Sequence, residues 1–260
     1  MLRAALVGLS LLTLSACDTL PGAAGGGINT SHAAMAKVIV PVQDKYTTSA
    51  DGTKIHYLAS GKGPLVVMIH GFPDYSASWD LLAPKLNDAY RAVALDTRGY
   101  NLSDKPTGVA NYAMPKLVED IQAVIKAEGY AKATVVGHDW GAAQAWNFAF
   151  AHPEMLERLV ILSVPHPANM GRQLKAAPQN SSYARNFQKE GSEKALSAEG
   201  LATMVAGKDP EMKAKYLEAF QRSSFAAMMN YYRANYPVGD NAPPADAPPP
   251  TYPKITVPLL

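Results

Sequence analysis

Cysteine is all but missing from this sequence: Cys17 is the only one in 260 residues, so no intramolecular disulfide can staple the fold. Net charge is small as well. The formal balance is +2 and no arginine-rich patch occurs, which excludes the electrostatic footprint of a nucleic-acid binder. Long apolar runs are lacking too. The N-terminal run from Ala4 to Leu14 is too short to span a bilayer, and no second candidate span follows. His70, His138 and His166 have neither a cysteine nor a second histidine at metal-ligand spacing, so no metal and no cofactor is expected. What remains is the composition of a soluble globular protein, 48% hydrophobic and 18% charged. Its length suits one full core plus a smaller subdomain.

The N-terminus stands apart from the fold. Met1-Leu2-Arg3 is a short basic start, Ala4 to Leu14 is apolar, and Leu14-Ser15-Ala16-Cys17 resembles the lipobox of bacterial lipoproteins. The resemblance implies removal of residues 1–16 and lipidation of Cys17. That would lower the formal balance from +2 to +1, through loss of Arg3. Asp18 resembles the inner-membrane retention signal of enterobacterial lipoproteins. Residues 17–36, with Pro21-Gly22-Ala23-Ala24-Gly25-Gly26-Gly27, read as a flexible tether. The expected location is the bacterial cell envelope, on a lipid anchor facing the periplasm or the outside. The other reading is a signal peptide in which Cys17 is incidental.

From residue 37 the pattern is that of a folded α/β domain. Lys45–Ala50 and Ile55–Ser60 read as strands joined at Asp51-Gly52, a hairpin signal. Pro64–Ile69, Arg91–Leu95, residues 133–137 and Leu159–Val164 are short apolar runs of the kind buried on both faces of a parallel sheet. Between them lie a helical stretch ending near Leu86, a helix over Met114–Glu128 stopped by Gly129, and a helix from Ala142 to about Ala151. Alternation of this kind predicts a mostly parallel sheet with helices on both faces. Ligands then lie beyond the carboxyl ends of the strands, where His70–Asp74, Asp96–Tyr100, Gly137–Gly141 and Pro165–Pro167 converge. The core is assigned to 37–167 and an inserted helical cap to 168–241. Residues 242–260 form a stiff proline-rich return and the start of a further buried strand at Ile255.

Within this frame Ala133 to Ala143 reads as a nucleophile elbow: a strand, the turn Gly137-His138-Asp139-Trp140-Gly141, then a helix. Asp139 stands where most such elbows carry serine. A carboxylate there attacks carbon and forms an alkyl ester. The pentapeptide alone also fits a glycine-bounded turn in which Asp139 merely caps the helix.

H-G-F-P-D at 70–74, D-T-R-G-Y-N-L-S-D-K-P at 96–106, G-H-D-W-G at 137–141 and V-P-H-P at 164–167 occur together in one order. In that order and spacing they resemble the epoxide hydrolases of the α/β-hydrolase superfamily, from about residue 40 onward. The resemblance implies an α/β-hydrolase fold and a small apolar epoxide as substrate, opened to a diol through an ester on Asp139. Tyr232 in N-Y-Y-R-A-N and Tyr183 in S-Y-A-R-N-F-Q-K-E-G match the two cap tyrosines that protonate the departing oxygen. Tyrosines are also ordinary on amphipathic helices, and this chain has 13. The backbone amides of Phe72 and Trp140 match the oxyanion site, and their side chains are expected to wall the pocket. His70 and His138 are expected to brace loops, as are Asp96 and Arg98. His166 either borders the cavity or is structural.

In this superfamily an acid and a histidine follow the nucleophile in chain order. No histidine follows His166 and no acidic residue follows Asp246. The expectation is a truncated fold lacking its last strands and C-terminal helix, able to form the ester on Asp139 but slow to release it. Two other readings stand beside this one. Haloalkane dehalogenases share the Asp nucleophile, but use a halide-binding Asn where this chain has Phe72. A non-catalytic lipoprotein could keep the capped pocket only to hold an apolar ligand.

Overall fold

A computed structural model describes residues 41–238, 241, 247–248 and 250–260. The leader, Cys17, the tether and part of the proline tract lie outside the described residues. Six strands form one sheet: β1 (Gln43–Thr48), β2 (Lys54–Ser60), β3 (Leu65–Ile69), β4 (Arg91–Leu95), β5 (Ala133–His138) and β6 (Leu156–Leu162). Their spatial order is β1-β2-β4-β3-β5-β6. The β1–β2 hairpin pairs antiparallel, β2 joins β4 antiparallel, and β4, β3, β5 and β6 run parallel. From β3 the chain goes to one side to make β4, then returns to the other side for β5. That reversal opens a crevice at the carboxyl ends of β3 and β5, the place where such sheets bind ligands.

Alternation along the strands divides the core. Leu65, Val67, Ile69, Val93, Leu95 and Val135 face α2 (Met114–Ala127) and α3 (Trp140–Ala151). Val66, Met68, Ala92, Ala94 and Val136 face the other way, against Trp79 and the single-turn α1 (Ala83–Leu86). Helices thus lie on both faces, as expected, but unevenly. On α2 the buried Leu117, Val118, Ile121, Val124 and Ile125 recur at helical spacing. Each such side chain stabilises the fold by about 1.5–3 kcal/mol on full burial.

Several boundaries differ from expectation, among them β1, which lies two residues earlier at Gln43–Thr48. β6 starts earlier, at Leu156, and α3 starts directly after Asp139 rather than at Ala142. The C-terminal segment does pair with the sheet, Leu259 bridging Leu159 in parallel, with Leu159 N–H on Pro258 O and Leu260 N–H on Leu159 O, each at 3.0 Å. It is only partly buried: Ile255 and Val257 pack against the core, while Leu260 is 87% exposed, because among the described residues it flanks β6 with nothing on its outer side.

Among the described residues five α-helices follow β6: α4 (Pro167–Ala176), α5 (Ser182–Gln188), α6 (Ala198–Ala206), α7 (Pro210–Arg222) and α8 (Phe225–Asn235). Ser197, Asp209 and Ser224 cap the last three by accepting bonds from Gly200, Met212 and Ala227 N–H. Among the described residues no helix is long and apolar enough to cross a membrane. α8 is bolted to the loop after β4. Tyr231 donates to Arg98 O at 2.8 Å, Ser224 N–H donates to Gly99 O at 3.0 Å, and Asn235 accepts from Met114 N–H and donates to Tyr112 O, both at 2.8 Å. That loop is held in turn by the fully buried Arg98. Its guanidinium grips Asp120 at 2.6 and 2.7 Å and Asp51 at 2.8 Å.

The β5–α3 turn needs three glycines. Asp139 has φ 52°, a conformation that is strained for a residue with a Cβ. A Cβ on Gly137 would overlap Gly141 O, one on Gly141 would overlap Ile69 O, and one on Gly71 would collide with the Asp139 side chain.

Two substitutions test this framework. Arg98→Met leaves the buried Asp120 carboxylate without its partner and should cost about 3–5 kcal/mol in urea unfolding. Gly141→Ala should cost at least about 1–3 kcal/mol, because the obstacle is a β3 carbonyl and not a flexible side chain. A stability within 0.5 kcal/mol of the parent, roughly the scatter of surface substitutions, would contradict either argument.

Candidate active site

At the elbow the Asp139 carboxylate is only partly buried, lifted clear of the sheet by its left-handed backbone. Its main-chain carbonyl accepts from Ala142 and Ala143 N–H at 2.9 and 3.1 Å, but its side chain makes no capping bond to α3. That removes the helix-cap reading of the pentapeptide. Instead Oδ1 accepts from Phe72 N–H at 2.9 Å. The loop after β3 therefore aims one amide at the carboxylate, while the positive end of α3 lies behind it.

His70 holds that loop. Nδ1 donates to Gly71 O at 2.9 Å, and Nε2 accepts from Thr97 N–H at 3.1 Å. Those two roles assign the neutral ring, and complete burial holds its pKa below the ordinary histidine value. His70 is thus a brace between the β3 and β4 loops. Asp96 closes the same assembly by accepting from His56 Nδ1 at 2.6 Å, Asn101 Nδ2 at 2.8 Å and Ser76 N–H at 2.9 Å. Burial alone would raise its pKa, but the His56 bond and the Ser76 amide keep it below the usual carboxylate range. His166 is structural: Nδ1 accepts from Ala168 N–H to cap α4, and its ring packs edge-on to Trp146 and Tyr252.

The adjacent tyrosines of α8 divide their work by helical geometry. Neighbours on a helix point about 100° apart, so Tyr231 enters the core and Tyr232 faces the elbow. The Tyr232 ring is buried, edge-on to Trp140 at 5.1 Å, Phe187 at 5.0 Å and Phe72 at 5.8 Å. Burial first, and the Asp139 charge second, push its phenol well above the ordinary tyrosine pKa. Tyr183 on α5 stands 6.2 Å from Tyr232. The residue is 46% exposed, yet burial of its phenol first, and the neighbouring Tyr236 and Asp139 after it, raise its pKa too. Both phenols are therefore neutral proton donors at ordinary pH.

A cavity of about 740 Å³ brings Asp139, Trp140, Tyr183 and Tyr232 together. Phe72 is the exception. Its amide reaches Asp139, but contrary to the expectation of a pocket wall Phe72 is not among the residues lining the cavity, and its ring packs edge-on to Phe187 and Tyr232. The sequence analysis also passed over Tyr236, Trp146, Asn147 and Ser163, all of which line the cavity. Of these, only Tyr236 carried a signal, four residues after Tyr232 on the same helix face. Among the described residues no group of three or more His, Cys, Asp or Glu could hold a metal ion.

Comparison with known proteins agrees with this architecture. Residues 64–243 match the family model described as alpha/beta hydrolase fold. The AB hydrolase superfamily protein YfhM of Bacillus subtilis is 37% identical over 203 residues, covering 72% of this chain and 71% of that protein. Epoxide hydrolase 1 of Caenorhabditis elegans is 44% identical over 123 residues, which is 46% of this chain but 30% of that protein. The chain thus aligns with less than a third of that relative's length. Among solved structures, an M145A mutant of an epoxide hydrolase from Bacillus megaterium superposes with a TM-score of 0.71 at 34% identity, over 75% of this chain and 73% of that one. With a fold, an elbow and a family model in agreement, the chain belongs to the α/β hydrolase fold family.

Proposed function

We propose that this chain opens small apolar epoxides, with Asp139 as nucleophile and the phenols of Tyr183 and Tyr232 as proton donors. The observation that carries the reading is the facing of one carboxylate and two raised-pKa phenols across a single largely apolar cavity. An esterase needs a hydroxyl or thiol at the elbow, and this chain has neither. The named relatives support the choice of epoxide. One structure of the Bacillus megaterium enzyme, 33% identical, is described with its product (R)-3-[1]naphthyloxy-propane-1,2-diol.

The reaction follows from the geometry. A carboxylate oxygen of Asp139 bonds to a ring carbon while the carbon–oxygen bond breaks toward oxygen. A phenol hydrogen-bonds that oxygen and passes its proton to it, leaving a hydroxy-alkyl ester. The amides of Phe72 and Trp140 would hold the oxyanion when water later attacks the ester carbonyl. That second half needs a base to activate water. His70 has both ring nitrogens engaged in loop contacts, and His166 caps α4.

Intact-mass analysis after exposure to a reactive epoxide should show one added epoxide mass, mapped by proteolysis to Asp139. Asp139→Asn should abolish it, and Tyr232→Phe should slow it by about ten- to a hundredfold, as loss of one of two acids implies. The rate should hold up to about pH 10, where an ordinary tyrosine is half ionised, because both phenol pKa values lie above that point. Rapid return to the unmodified mass with diol release would show that the chain also hydrolyses the ester, and absence of any adduct with a reactive epoxide would overturn the nucleophile's role. Ligand binding without any adduct, unchanged in Asp139→Asn, would favour a purely binding protein.

We also propose that Cys17 carries a lipid anchor that holds this site at the cell envelope, on the strength of the leader's residue order. In a bacterial host the full chain should pellet with membranes and Cys17→Ser should shift to the soluble fraction. Equal partitioning of the two would refute the anchor.

A further inference from the structure

Tyr216 belongs to the inserted helix α7, yet its hydroxyl reaches the core, donating to Asp74 Oδ1 at 2.6 Å. Asp74 ends the H-G-F-P-D segment after β3, and the same oxygen accepts from Tyr75 N–H at 2.9 Å. The Tyr216 side chain is buried, edge-on to Tyr75 at 5.0 Å and tilted against Phe220 at 5.7 Å. Burial first, and the Asp74 charge second, push its phenol well above the ordinary tyrosine pKa, so it stays a neutral donor. Asp74 is two residues from Phe72, whose N–H holds Asp139 Oδ1 at 2.9 Å. Only Pro73 lies between them, and its ring fixes φ, so a shift of Asp74 passes to Phe72 with little slack. On the other side His70 Nδ1 grips Gly71 O. The segment carrying the Phe72 amide is thus clamped twice, at Gly71 by the core and at Asp74 by the cap. Docking of α7 does not need the Tyr216 hydroxyl. Its C-terminal end is fastened separately, with Ser223 Oγ accepting from Asn101 N–H at 2.8 Å and Ser224 N–H donating to Gly99 O at 3.0 Å.

We propose that Tyr216 is a positioning residue that acts through Asp74, fixing the loop that aims the Phe72 amide at the nucleophile. The inference rests on the epoxide-opening reading above. With Oδ1 held by that amide, the other oxygen of Asp139 bonds to the ring carbon. The carbon–oxygen bond breaks toward the epoxide oxygen, which takes a phenol proton, and Oδ1 becomes the carbonyl oxygen of the ester. A donor fixed in advance costs no reorganisation as charge on its partner changes. Release of the latch loosens the loop, so fewer molecules hold the carboxylate aligned for attack. Neither Tyr216 nor Asp74 lines the cavity, so that loss falls on bond formation and not on epoxide binding.

The test uses the full chain and a reactive aryl glycidyl ether. The pre-steady-state rate of adduct formation at Asp139 is read by intact mass, and the Phe72 amide by deuterium exchange. Tyr216→Phe keeps the ring and removes only the hydroxyl. At saturating epoxide it should slow adduct formation about tenfold, move the half-saturating concentration by less than about twofold, and speed exchange at Phe72 about tenfold. Asp74→Ala should do the same, and Tyr216→Phe should add less than about twofold in that background. Asp74→Asn, which keeps an acceptor oxygen, should recover most of the rate lost in Asp74→Ala. An unchanged rate or an unchanged Phe72 amide in Tyr216→Phe, or multiplying losses in the double variant, overturns the inference. Failure of the underlying reading looks different: no adduct forms even in the parent, although the Phe72 amide still answers to Tyr216→Phe.

Discussion

The left-handed backbone at Asp139, φ 52°, is the constraint around which the rest of the molecule is arranged. A residue with a side chain adopts it only where its surroundings allow no alternative. Here β5 is pinned between β3 and β6 in parallel register, and α3 starts on the next residue, so the reversal has a single residue in which to occur. The compression it causes leaves no room for a Cβ at Gly71, Gly137 or Gly141. The return is geometric: a carboxylate stands free at the sheet's crevice with a helix N-terminus behind it and the Phe72 amide in front.

A second assembly keeps the acid side of the site in place. Although α8 follows the inserted helices in sequence, its bonds run to the core loop at 98–114, through Tyr231, Ser224 and Asn235. That loop is in turn held by the buried Arg98 and its two aspartates, pairs whose charges are costly to bury singly but are mutually satisfied. Tyr232 is therefore carried on what is mechanically part of the core. Tyr183 is not: it belongs to a short helix connected to α8 through Gln188 and by the Arg233 contacts to Lys189 and Glu193. Desolvation keeps both phenols neutral, so the low dielectric that makes the pocket apolar also keeps its acids protonated.

Much of the site was legible because strand ends in a parallel sheet converge whatever the intervening chain does. Asp139, Tyr183, Tyr232 and Trp140 all reach one cavity. The division between Tyr231 and Tyr232 follows from helical geometry, but which of them faces the elbow depended on the roll of α8, set by contacts more than a hundred residues away in sequence. Phe72 shows the limit more sharply. Its ring packs edge-on to Phe187 and Tyr232 and is not among the residues lining the cavity, a placement set by cap residues far away in sequence. Similarly, Ile255 to Leu260 carried the composition of a buried strand, but while Ile255 and Val257 pack half-buried on the core, Leu259 and Leu260 are exposed beside β6, since burial is decided by what covers a strand and not by its own residues.

The sequence by itself determined the α/β alternation, the glycine-flanked turn and the identity of the residue at its apex, because periodicity, backbone freedom and nucleophile type are local properties. Tertiary structure alone decided the neutral state of His70, the service of His166 as a helix cap, and the placing of Tyr236 as a third phenol beside Tyr183. Each of those depends on groups brought within a few ångströms by packing, across separations over which the chain carries no pattern.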